Sequence, residues 1–137
     1  MAWNQGPKFI AGGTIAPARF VMVSTAADNT ALQATANAKL IGVSQEGMKR
    51  TPGLAGSDDT IAAEANDEID VFGEGDVAML TTGAAVVRGD WLQADAAGKA
   101  IAAAGVGAHF VGAVALESAG AADVKIQVQV LILAQTI

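Results

Sequence analysis

The chain has no cysteine and no tyrosine, a single histidine (His109), three prolines, and only four Phe and two Trp. Without cysteine there is no disulfide framework, no thiolate metal site and no thiol nucleophile. With one imidazole and no phenol, acid–base and metal chemistry would have to run on carboxylates alone. No P-loop, dinucleotide fingerprint, nucleophile elbow or zincin motif occurs. The expectation is a protein that is not an enzyme and uses no cofactor and no metal. No apolar run is long enough to cross a bilayer, and the N-terminus, MAWNQGPKF, lacks the apolar stretch of a signal peptide. Basic residues are scarce, 8 Lys and Arg against 14 Asp and Glu, for a net charge of −6. That balance argues against a direct binder of nucleic acid or anionic membrane.

What is present is small and apolar. The 137 residues are 52% hydrophobic, but 31 of them are Ala. Val and Ile together number 22 against 8 Leu, which favours strands, because β-branched side chains suit a pleated surface. The length fits one domain, long enough to bury roughly 65–70% of its unfolded surface.

Period-two patterning is clearest near the C-terminus. Val124, Ile126, Val128, Val130 and Ile132 share one face, and Lys125, Gln127 and Gln129 the other, which predicts a strand tied into a sheet. Shorter strands are expected at Phe20–Ser24, Leu40–Ser44, Ile69–Phe72, Val77–Thr81, Trp91–Ala94 and Phe110–Leu116, separated by Gly, Asp and Asn turn residues. Gly42 and Gly112 fall inside strand patterns, where glycine marks a bulge or a close backbone approach. Many short strands so punctuated predict an all-β fold, a small barrel or sandwich with short helical turns at most.

Two Ala-rich stretches, 26–38 and 94–108, have the composition of helices but no sustained apolar stripe, and both read as strand–turn–strand. Apolar residues at 61, 65 and 69 allow one or two helical turns there. Segment 21–43 resembles 91–113 at an offset of 70, aligning Leu40-Ile41-Gly42 with Phe110-Val111-Gly112. In an Ala-rich chain such identities are common, and the similarity reads as shared hairpin chemistry in preference to a true repeat.

Eight of the fourteen acids fall between Asp58 and Asp76. They lack EF-hand spacing and read as a solvated face rather than a cation site. Glu64 with Asp67, or Glu74 with Asp76, would be a candidate catalytic pair only beside aromatic sugar platforms, which the chain lacks. Arg88-Gly89-Asp90 spells an adhesion tripeptide but reads as a turn leading into a strand. His109 has no second ligand and reads as a strand-edge residue. Before the acids, the Pro- and Gly-bearing stretch near 49–59 predicts an exposed loop. Residues 1–9 read as a flexible N-terminal arm ahead of a single β domain, 10–137. Trp3 in that arm is either a docking anchor or a side chain folded back on its own core.

The order of features carries more than any one of them. Ile69-Asp70-Val71-Phe72-Gly73 closes a strand on Gly. Residues Val86 to Ala100 have the form V-x-x-G-D-x-L-x-x-D-x-x-G-x-A. Phe110 to Ala119 resembles an I-G-x-A-L-E-x-A strand, and Leu40-Ile41-Gly42-Val43 a G-V strand of the same pattern. This succession, over roughly residues 10–133, resembles the capsid-decoration, or capsid-cement, proteins of tailed bacteriophages. The resemblance implies a small β-barrel or β-tulip-like domain, a homotrimer on the outer surface of an icosahedral head, made in the host cytoplasm and clamping neighbouring subunits of the major capsid protein. Capsid-interface candidates are then Ala2, Trp3, Lys8, Phe9 and Arg19. The competing reading is a carbohydrate- or cell-surface-binding β module displayed on a virion. It would need an exposed aromatic face, and six Phe and Trp supply little of one.

Overall fold

A computed structural model of the chain describes residues 9–45, 61–104 and 107–136. Ala2, Trp3, Lys8 and the loop near 49–59 lie outside the described residues. Among the described residues there is no helix. Eleven strands run in order: β1 (Phe9–Ala11), β2 (Phe20–Val23), β3 (Thr30–Gln33), β4 (Gly42–Ser44), β5 (Glu68–Ile69), β6 (Val71–Phe72), β7 (Val77–Thr81), β8 (Trp91–Ala94), β9 (Ala100–Ala102), β10 (Ala108–Ala115) and β11 (Lys125–Thr136). The fold is all-β, as the β-branched bias predicts.

The first sheet has the order β5-β1-β3-β2-β4-β6. Its two edges, β5 and β6, are halves of one stretch, 68–72, separated only by Asp70. The sheet therefore closes on itself as a barrel. Side chains alternate between inside and outside. Ala11, Val21, Ala31 and Ile69 point inward, joined by Ile15, Ala62 and Ala63 from the connecting segments. Phe20 and Val43 point outward. So few strands enclose a narrow lumen, which is why alanine, the best helix former, fills strand positions here.

The second sheet has the order β7-β11-β10-β8-β9. A parallel bridge between Thr82 and Ala100 brings its first and last strands together, and Gly83 N–H donates to Ala100 O at 2.7 Å. It is a nearly closed barrel, lined by Leu80, Leu92, Ala94, Ala100, Ala113, Ile126 and Val128. The C-terminal strand β11 lies between β7 and β10, so the period-two segment is tied in on both sides.

The two barrels have the same wiring. Strands β1, β2, β3, β4 and 68–72 correspond to β7, β8, β9, β10 and β11, and every pairing of one barrel has its counterpart in the other. The register agrees strand by strand. Val21 pairs with Gly42 as Leu92 pairs with Ala113, an offset of 71. Ile10 pairs with Glu68 as Thr81 pairs with Lys125, so the closing strand is offset by only 57. The difference of fourteen is the segment 46–60, fifteen residues standing where the second barrel has Glu117 alone. The faint similarity near offset 70 is thus a real duplication and not hairpin chemistry alone, with β2 and β4 offset by 71 and β3 by 69. Gly42 corresponds to Ala113 rather than to Gly112.

Both strand glycines do what was expected of them. A Cβ on Gly42 would fall against Phe72 O, and one on Gly112 against the Phe20 and Leu40 side chains. Gly112 also sits at the irregularity in the β10–β11 pairing, between Val111 and Ala113. Stretch 26–38 forms a turn, the single strand β3 and a second turn instead of two strands, and 94–102 runs from the end of β8 through a turn into β9. The helical turns allowed over Ile61–Ile69 do not form. Asn66 adopts φ 73° and ends a tight turn instead, because Asn tolerates the left-handed region and a helix does not.

Candidate functional site

Four aspartates, Asp67, Asp76, Asp90 and Asp95, are occupied in holding turns. In Glu64–Asp67, Gly73–Asp76 and Val87–Asp90 the same device recurs. The Asp carboxylate accepts the N–H of the residue three before it, at 2.9, 3.0 and 2.9 Å. The Asp N–H donates back to that residue's carbonyl at 3.0, 3.1 and 3.0 Å. The third position has positive φ, at Asn66, Gly75 and Gly89. Asp95 does similar work, its Oδ1 accepting the N–H groups of Ala97 and Lys99.

This gives the V-x-x-G-D-x-L-x-x-D-x-x-G-x-A signature a physical reading. Val86, Leu92 and Ala100 are buried in the barrel, Gly89 and Gly98 take positive φ, and Asp90 and Asp95 cap turns. Arg88-Gly89-Asp90 is one of these turns, with its carboxylate already engaged by Val87 N–H.

Among the described residues no cluster of His, Asp and Glu has the arrangement of a metal site. His109 is not at an exposed edge. It is buried in β10 with its Nδ1 on Gln93 Oε1. The edge of β10 beside it is covered by Asn37, whose Nδ2 donates to Ala108 O at 2.9 Å and whose Oδ1 accepts Phe110 N–H at 3.0 Å.

Of the interface candidates read from the sequence, two lie among the described residues. Phe9 is half-buried, paired with Ile69 and packed on the first barrel's core. Arg19 is half-buried where the barrels meet. Its N–H donates to Ser44 Oγ at 3.0 Å and its Nη1 to Ala97 O at 3.3 Å, while Nε is buried without a partner. The structure does not bring these two together on one open face.

The open apolar surface lies elsewhere, on the outer face of the second barrel. Trp91, Val114, Gln129 and Val77 form one row across four strands, β8, β10, β11 and β7. Trp91 and Val77 are exposed, as are nearby Leu116 and Val87. Sequence reasoning counted Trp91 only as a strand residue. The signal available was its phase: it alternates with buried Leu92 and Ala94 in a strand of otherwise inward apolar residues. In the first barrel the corresponding row, Phe20–Val43–Phe72, is covered by the second barrel.

No family model matches the chain, and no curated protein matches it. Among solved structures, the chain is similar to the head fiber gp8.5 N base of bacteriophage phi29. The likeness covers 90% of this chain and 91% of that one, with a TM-score of 0.57 at 15% sequence identity. At that identity the likeness is one of fold, and it extends over both barrels.

Proposed function

We propose that this chain is a structural protein of a phage head, bound to the outside of the icosahedral shell, where it cements the lattice of the major capsid protein as a homotrimer. The observation that carries the reading is the fold shared, nearly end to end, with a phage head fiber base. Two further features support it. The motif by which the sequence resembles capsid-decoration proteins lies on barrel-building positions, so fold and resemblance point the same way. Four aspartates, Asp67, Asp76, Asp90 and Asp95, are committed to turns, which is the economy of a scaffold.

The arm ahead of β1, with Trp3 as an anchor, is the proposed clamp on the shell. A Gly- and Pro-bearing polar arm buries little by itself, whereas an indole adds a large apolar contact once a groove is supplied. Bare expanded heads titrated with the wild-type chain, a chain lacking residues 1–8 and Trp3→Ala test both ideas. The wild type should co-sediment with heads and raise their resistance to dissociation. The two variants should bind roughly 5- to 150-fold more weakly, the hot-spot range of 1–3 kcal/mol. No binding by the wild type removes the capsid reading, and equal occupancy by all three removes the arm from it.

A further inference from the structure

The duplication exposes an unfilled contact. Inside the chain, the outer face of the first barrel sits on the second. Phe20 is fully buried there, beside Gly112. The Ala18–Phe20 stretch wedges into the second barrel's seam between β7 and the β8–β9 turn. Thr81 N–H donates to Ala18 O at 2.9 Å, and Phe20 N–H donates to Gly98 O at 2.8 Å.

Each half of this contact has an equivalent that the chain leaves open. Trp91 stands where Phe20 stands, 39% exposed against 0%. On the receiving side, Val23 stands where Ala94 stands, 46% exposed against 0%. Ile10 stands where Thr81 stands, 41% exposed against 7%. Trp91 and Ile10 thus fall on positions that the internal contact covers, and Val23 ends β2 where the chain enters the β2–β3 turn of the same seam. Such a pair of surfaces is self-complementary without being the same patch, which is the definition of a heterologous interface.

We propose that the Trp91 face of one chain docks onto the Ile10–Val23 seam of a second copy, repeating between chains the contact that Phe20 makes within one. The two versions differ in two respects. The receiving seam of the first barrel is zipped by Ile10 N–H donating to Asn29 O at 2.9 Å, and docking exchanges that bond for one across the interface. The equivalent of Arg19 is Asp90, so the contact between chains lacks the guanidinium that donates to Ala97 O in the internal one. The contact between chains is therefore weaker than the internal one. The inference is independent of the capsid reading and holds for a chain that binds no head.

Sedimentation of the full chain, with Trp91→Glu and Val23→Glu, tests it. The wild type should associate with rising concentration. Each variant alone should associate at least about thirtyfold more weakly, as for a hot-spot residue. An equimolar mixture of the two variants should recover a pair and stop there, because one supplies an intact Trp91 face and the other an intact seam. That recovery also excludes misfolding as the cause of the loss. A monomeric wild type, variants that associate normally, or a mixture that forms no pair would each overturn the proposal. So would association that appears only after residues 1–8 are removed, which would give the seam to the chain's own arm.

Discussion

Phe20 and Trp91 occupy the same position in two copies of one barrel, and one is wholly buried while the other is 39% exposed. The difference lies in what covers them, not in the strands that carry them. Phe20→Ala should therefore destabilise the fold by about 3–5 kcal/mol, the usual cost of emptying a packed aromatic site. Trp91→Ala should cost a monomeric chain under about 1 kcal/mol. Urea unfolding of both variants at low protein concentration checks the contrast.

Gly42 lies where a strand passes close to Phe72, and a methyl group there meets a backbone oxygen that cannot rotate away. Gly42→Ala should destabilise by about 1–3 kcal/mol. Gly73→Ala is the control, since nothing lies within 4 Å of its would-be Cβ. It should be nearly neutral. Equal midpoints for the two variants in thermal unfolding would contradict this account.

The second barrel closes with Glu117 alone where the first has residues 46–60. Replacing 46–60 by one Glu should leave the first barrel folded. Stability should be unchanged or raised by at most about 2 kcal/mol, because closing a shorter loop costs less entropy. Retained β-type circular dichroism and a cooperative transition are the expected readout.

Asp123 accepts a hydrogen bond from Lys99 Nζ at 2.5 Å, and that ammonium holds its carboxyl below the ordinary value of 3.8. A depressed folded pKa contributes stability above the unfolded value and loses it as pH falls through the folded one. Asp123 also has φ 65°, and its equivalent in the first barrel is Asn66, with φ 73°. Asp123→Asn should keep the turn and lose only the charge. Its small loss of stability should be present at neutral pH, vanish at acid pH and shrink in high salt. Asp123→Ala should lose the turn preference as well and remain weaker at every pH.

The local structure was legible in the sequence because it rests on local chemistry. Period-two patterning placed β11, punctuation by Gly, Asn and Asp placed the turns, and Gly42 and Gly112 marked close approaches. The closure of each barrel was not legible. It depends on Asp70 separating two pairings of one stretch and on Thr82 meeting Ala100, contacts between distant residues that no local preference encodes. The duplication was visible but out of phase. Lumen positions accept almost any small apolar residue, so an Ala-rich chain aligns nearly as well one place away, and fifteen residues before the closing strand hide the second offset. A slip of one residue exchanges the faces of a strand. That is why the sequence alone paired Gly42 with Gly112, and why only the tertiary structure decided that Trp91 faces outward at the place where Phe20 is enclosed.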